Sequence, residues 1–106
     1  MPPAIIDETL LIPFKARACL DLTARLEAGG NVDRKDIRKH RNDVFRLAQL
    51  LPVDASVDLP EPVRQDLRTF VDRTQADEML DPRAFGVPFS RNEAANLLRR
   101  VYGLTS

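Results

Sequence analysis

Apolar residues recur at spacings of three and four along most of the chain, which is the spacing of one face of an α-helix. The first such stretch follows Pro13 and ends before Gly29. Its apolar stripe is Cys19, Leu22 and Leu26. Because proline is favoured in the first turn of a helix and glycine just past its end, we predict a helix from about Pro13 to Ala28. Residues 1–11 are rich in proline and short apolar groups, and they predict an extended lead-in.

A second amphipathic stretch runs to about Leu51, where Pro52 prevents the helix from continuing. Either Asn31 or Asp33 can cap its N-terminus, since both side chains accept hydrogen bonds from first-turn N–H groups. The apolar stripe of this second helix is Ile37, Val44, Leu47 and Leu51.

The third periodic stretch begins near Pro60 and fades near Ala76. Its predicted inner face is Val63, Leu67, Phe70, Val71 and Thr74. Residues 77–89 contain two prolines and a glycine, which predict a loop.

Ser90 is placed to cap a last helix, which Gly103 should end. The apolar stripe of this helix is Ala94, Leu97, Leu98 and Val101. No repeat or linker divides the chain. The sequence therefore predicts one all-α domain over residues 1–106, a small bundle of about four helices with a short extended lead-in.

Two polar residues fall where the helical pattern expects apolar ones. Lys15 shares a helix face with Cys19 and Leu22, and His40 lies between two apolar positions of the second helix. Lys15 could simply lay its methylenes on the core, or it could hold its ammonium at a cleft for an anion. His40 fits a hydrogen-bonded boundary residue as well as a functional one. Asp43 flanks the same stripe as His40 and could meet Lys15 across the helix pair, either as a structural salt bridge or as part of a site.

Charge and composition argue against several classes of protein, including secreted and membrane-spanning ones. Sixteen basic and sixteen acidic residues give a formal net charge of zero, which argues against nucleic-acid binding by bulk attraction. The single cysteine cannot form an internal disulfide, and no signal peptide is evident, so we expect a reducing cytoplasm. No apolar run approaches the roughly 20 residues that cross a membrane, and we expect a soluble protein.

A basic run over residues 33–41 keeps DNA binding open as an alternative function. A DNA-binding domain would use Arg34, Lys35, Arg38 and Arg41 of this run, although no aromatic residue interleaves them for base stacking. A solvated helix face explains the run, and a small DNA-binding domain is the competing interpretation.

The segments around Lys15 and Asp43 resemble a known family. Pro13, Lys15 and Ala18, followed by Arg38-Lys39-His40-x-x-Asp43-Val44-x-Arg46-Leu47, look like the C-terminal half of AbiEii/AbiGii-type nucleotidyltransferase toxins, which act in toxin-antitoxin and phage-defence systems. The resemblance covers residues 11–51. The family often has Lys-Asp-x-x-Asp where this chain has Lys39-His40-x-x-Asp43.

The resemblance implies a nucleotide site shared between two halves. In the family, a sheet domain carries Gly-Ser and Asp-x-Asp for the metal, and the helical region adds a lysine and an aspartate, which match Lys15 and Asp43 here. His40, Lys39 and Arg46 are candidate supporting residues. This chain has neither Gly-Ser nor Asp-x-Asp, so we expect no nucleotidyl transfer by the chain alone. Mg²⁺ and a nucleoside triphosphate are implied only together with the missing catalytic half.

Two function classes follow. The first is a C-terminal helical module that packs on the catalytic half and completes its nucleotide site. The second is a stand-alone helical interaction or regulatory protein, in which Lys15 and Asp43 form only a structural pair. Under the first interpretation, an apolar surface that includes Ala4-Ile5-Ile6 would meet the catalytic half, so the isolated chain should form a homodimer or bind a partner protein.

Overall fold

The computed structural model describes residues 7–52 and 54–104, which form four α-helices and one short 3₁₀-helix. The elements are α1 (Glu8–Glu27), α2 (Arg34–Ala48), α3 (Glu61–Ala76), the 3₁₀-helix Pro82–Phe85 and α4 (Arg91–Tyr102). Helix α1 packs mainly against α2 and α3, while α4 packs mainly against α3. No strand occurs in the described residues, and the prediction of a small all-α bundle is confirmed.

Helix α1 begins at Glu8, so the prediction that it begins near Pro13 is wrong. Asp7 caps the helix, because its carboxylate accepts the Thr9 backbone N–H at 3.0 Å. The hydroxyl of Thr9 also donates to this carboxylate and lowers the pKa of Asp7. The predicted extended lead-in is therefore wrong for residues 8–11, and residues 1–6, including the predicted apolar surface, lie outside the described residues.

Pro13 lies inside α1, where proline ordinarily costs about 3 kcal/mol because it removes one helical hydrogen bond. The missing bond would join residue 13 to the carbonyl of Thr9, four residues earlier. In its place, the Tyr102 hydroxyl donates a hydrogen bond to the Thr9 carbonyl at 2.8 Å. The last turn of α4 thus satisfies the acceptor that Pro13 leaves open in α1.

Tyr102 is 1% exposed. Burial raises the pKa of its hydroxyl, and the negative charges of Asp7 and Glu8 raise it further. The hydroxyl therefore remains a protonated donor well above neutral pH.

Most of the other helix ends follow the predicted turn chemistry. Beyond α1, the N–H groups of Gly29 and Gly30 bond back to the carbonyls of Leu26 and Arg25 at 3.0 and 2.8 Å, and Gly29 has a φ of +87°. Asp33, and not Asn31, caps α2. The bounds of α3 and α4 agree with the predictions.

Two local predictions need correction. Helix α2 ends at Ala48 and not at Leu51. The N–H groups of Leu50 and Leu51 bond to carbonyls three residues earlier, at 3.0 and 3.2 Å, so the chain leaves α2 through tight turns, and Pro52 disfavours a helical Leu51. The predicted loop over residues 77–89 contains the 3₁₀-helix, whose start is fixed by Pro82 and by the Asp81 carboxylate accepting the Arg83 N–H at 3.1 Å.

The core lies between α1, α2, α3 and α4 and contains three linked aromatic rings. Phe45 of α2 lies 6.1 Å from Phe70 of α3 and 6.3 Å from Phe85 of the 3₁₀-helix, measured between ring centroids. The buried apolar residues of the four helices are Ile12, Ala16, Cys19, Val44, Phe45, Ala48, Leu67, Phe70, Val71, Ala94, Ala95, Leu98, Val101 and Tyr102. None of the described helices has both the length and the apolar character needed to cross a bilayer.

The link between Pro13, Thr9 and Tyr102 predicts a measurable coupling. Tyr102→Phe leaves the Thr9 carbonyl without a partner, so we expect the free energy of unfolding to fall by about 1–2 kcal/mol. In a Pro13→Ala background the helix supplies its own N–H to this carbonyl. In this background, the loss in free energy of unfolding caused by Tyr102→Phe should be smaller by at least about 0.5 kcal/mol than in the wild-type chain. Urea unfolding of the four proteins measures both costs.

Phe70→Leu is the matched control, because Phe70 is a buried residue of α3 whose ring packs against Phe45 and forms no hydrogen bond to Thr9. Phe70→Leu should lower the free energy of unfolding by the same amount in the wild-type and Pro13→Ala backgrounds. Equal costs of Tyr102→Phe in the two backgrounds would contradict the proposed compensation.

Candidate functional site

Lys15 of α1 and Asp43 of α2 lie together at the edge of the helix pair. The Lys15 Nζ is 3.3 Å from an Asp43 carboxylate oxygen, and the two side chains are 25% and 22% exposed. The prediction that these side chains meet is confirmed. The pair is therefore screened from bulk water on most sides while one face remains open.

The helices hold this pair by burying the residues next to it. Lys15 precedes Ala16, and Asp43 precedes Val44, and both of these neighbours have no exposed surface. Each charged residue is therefore attached to backbone that the core fixes. Lys15 adopts the position at the edge of an apolar face that its spacing predicts.

Arg46 adds a second cation to the pair. Its Nη1 lies 3.4 Å from Asp43, one turn along α2, and its guanidinium carbon lies 5.3 Å from the centroid of the Phe85 ring. Asp43 thus contacts two cations, and the three side chains together carry a net positive charge. A group of this kind favours an anion at its open side.

Phe85 is the part of this arrangement that the sequence did not reveal. It lies in a segment predicted as a loop, and no local spacing relates it to Arg46. A signal existed in its aromatic character, since an aromatic residue between Pro82 and Gly86 is a candidate for burial against the core.

The two remaining candidate residues differ in their surroundings. His40, one turn before Asp43 on α2, is partly buried, and its Nδ1 atom is buried without a hydrogen-bond partner. Lys39 is exposed and lies outside the arrangement. The structure therefore brings together Lys15, Asp43 and Arg46, places His40 beside them along α2 and leaves Lys39 in solvent.

The basic run over residues 33–41 is mostly exposed, but one of its arginines contacts another part of the fold. Arg34, Lys35 and Arg38 are exposed on α2, whereas the Arg41 guanidinium lies 3.8 Å from the Asp77 carboxylate. In residues 7–52 and 54–104, no group of three or more His, Cys, Asp or Glu side chains is arranged to hold a metal ion.

Comparison of the chain with known protein families, curated proteins and solved structures finds no match. A function for the chain is therefore proposed below from its own residues.

The geometry makes Asp43 more important for stability than Lys15. After Lys15→Met, Asp43 retains Arg46, so we expect a loss of about 0.5–1 kcal/mol. Asp43→Leu leaves both cations without their carboxylate and should cost about 1–2 kcal/mol. The double variant should cost less than the sum, because it removes the charges together. Urea unfolding at low and high salt measures these values.

Arg83→Met is a suitable control, since the Arg83–Asp81 pair is 63% and 47% exposed. Arg83→Met should lower the free energy of unfolding by no more than about 0.5 kcal/mol. Additive losses from Lys15→Met and Asp43→Leu would show that the two groups are not energetically coupled.

Proposed function

We propose that this chain is the helical module of an AbiEii-like nucleotidyltransferase and that it forms one side of a nucleoside triphosphate site. The observation that carries the proposal is the contact between Lys15 and Asp43, at 3.3 Å across two helices. These are the two positions that match the lysine and aspartate of the family motif. A second cation, Arg46, beside the same carboxylate supports an anionic ligand.

The three side chains have different roles in this proposal. The Lys15 ammonium is a compact charge with three donors and neutralises a phosphate oxygen. Asp43 orients this ammonium through their ion pair, and its second oxygen faces Arg46. The stacking of Arg46 near Phe85 restricts the guanidinium, so less side-chain entropy is lost when a phosphate binds.

The metal belongs to the other half of the proposed site. Mg²⁺ requires oxygen ligands in octahedral geometry, often carboxylates together with substrate phosphates. Asp43 is already engaged by two cations, and it does not form part of a carboxylate cluster in the described residues. The helical module therefore binds and orients the triphosphate, while nucleotidyl transfer requires the Gly-Ser and Asp-x-Asp half.

Binding by the isolated chain can be tested directly. We expect ATP, GTP, CTP or UTP with Mg²⁺ to cause saturable amide shifts around residues 15, 43 and 46 in two-dimensional NMR spectra. Lys15→Ala and Asp43→Ala should abolish these shifts while retaining a dispersed spectrum. Lys35→Ala is the matched control, because Lys35 is an exposed cation on α2 outside the arrangement.

Two results would contradict the proposal. One is a flat titration with all four nucleotides. The other is a set of shifts centred on residues 34–38 that Lys35→Ala removes, because this would identify non-specific attraction to the basic run.

The second candidate function is a stand-alone helical interaction module. One observation favours it: an apolar groove with the exposed residues Leu10 and Phe14 lies on α1. Under this alternative, replacement of the charged pair by Lys15→Met and Asp43→Leu should leave partner binding unchanged.

A further inference from the structure

An apolar groove runs between α1 and the start of α3, away from the nucleotide candidate site. It has a volume of about 350 Å³, and its apolar walls include Leu10, Pro13, Phe14, Leu59 and Val63. Phe14 is 67% exposed and Leu10 is 52% exposed, although both have large apolar side chains. This patch is a candidate for contact with another apolar surface.

The groove and the charged pair occupy different faces of α1. Phe14 and Lys15 are consecutive residues, and consecutive side chains on an α-helix are rotated by roughly 100° around its axis. Leu10 and Phe14 are four residues apart and share one face. Occupation of the groove therefore does not require Lys15 or Asp43.

The shape of the patch suits a second copy of the same surface. A two-fold contact joins the same patch on both protomers, so the patch must contain both a projecting group and a depression that receives it. Phe14 projects from α1, and the depression beside it is floored by Pro13, Leu59 and Val63. One patch thus supplies both halves of such a contact.

The charges at the groove are also self-complementary. Arg17 and Asp66 both line it, and within one chain the Arg17 Nη1 lies 2.7 Å from Asp66 while the Arg17 Nε lies 3.1 Å from Asp21. Arg17 is 60% exposed and Asp66 is 34% exposed, so both remain open to a second molecule. In a two-fold contact centred near Phe14, Arg17 of each protomer would lie opposite Asp66 of the other. The formal net charge of zero also removes long-range repulsion between copies.

We propose that two copies of this chain associate through this groove, with Phe14 of each protomer inserted into the groove of the other. Arg17 and Asp66 form the polar rim of the contact and fix its two-fold orientation. This dimer is independent of the proposed nucleotide function.

Sedimentation velocity over micromolar to millimolar concentrations tests the contact. The wild-type chain should shift from monomer to dimer, and Phe14→Glu should raise the dissociation constant at least about tenfold. Met79→Glu and Leu50→Glu are matched controls, because these apolar side chains are 92% and 60% exposed outside the groove. Circular dichroism establishes that each variant is folded. A wild-type monomer at all concentrations, or equal weakening by the control variants, would overturn the proposal.

A charge-exchange experiment tests the orientation. Arg17→Glu places two carboxylates opposite each other in its own homodimer, and Asp66→Arg places two guanidinium groups opposite each other. Each variant alone should therefore associate at least about tenfold more weakly than the wild type, whereas an equimolar mixture should form a heterodimer with restored pairs. A mixture as weak as the separate variants would contradict the two-fold arrangement, even if the wild type dimerises.

Discussion

The hydroxyl of Tyr102 and the carbonyl of Thr9 join the last turn of α4 to the first turn of α1, where Pro13 has no N–H to offer. An interior proline would otherwise favour a break in the helix at this point. Because the orphaned carbonyl has a partner, α1 continues through Pro13 and carries Ile12 and Ala16 into the core with no exposed surface. One hydrogen bond from the buried Tyr102 thus links the last helix directly to the first, and both helices also pack against α3.

The continuity of α1 also determines what the molecule presents to its surroundings. Phe14, Lys15 and Ala16 follow Pro13 directly, and the helical rotation points them in three directions. Ala16 enters the core, Lys15 reaches Asp43, and Phe14 remains exposed beside the groove. The proposed nucleotide site and the proposed dimer contact therefore depend on the same helix register but use different surfaces.

The sequence predicts many of the features that depend on local chemistry, although it misses the Asp7 cap of α1. The capping residue Ser90, the glycines after α1 and the proline before α3 set helix ends through contacts within a few residues, and these ends were predicted well. Helical spacing also predicted that Lys15 and Asp43 could meet. The sequence pattern does not predict an interior Pro13, because the residue that compensates for it, Tyr102, is distant in sequence. The position of Phe85 near Arg46 was missed for the same reason, since tertiary packing creates this contact.

The most direct test of this account is a spectrophotometric pH titration of the native and urea-unfolded chain. Tyr102 is the single tyrosine and the chain has no tryptophan, so phenolate absorbance reports on this residue alone. Burial raises the pKa of Tyr102 in the folded chain, whereas the unfolded value is about 10. Above that pH the unfolded chain loses its proton first, so the folded chain loses stability as the pH rises. We expect the native tyrosine to remain protonated where the unfolded one is half ionised, and to ionise only as the helices unfold. Ionisation near pH 10 with the helices intact would contradict the buried link between Tyr102 and Thr9.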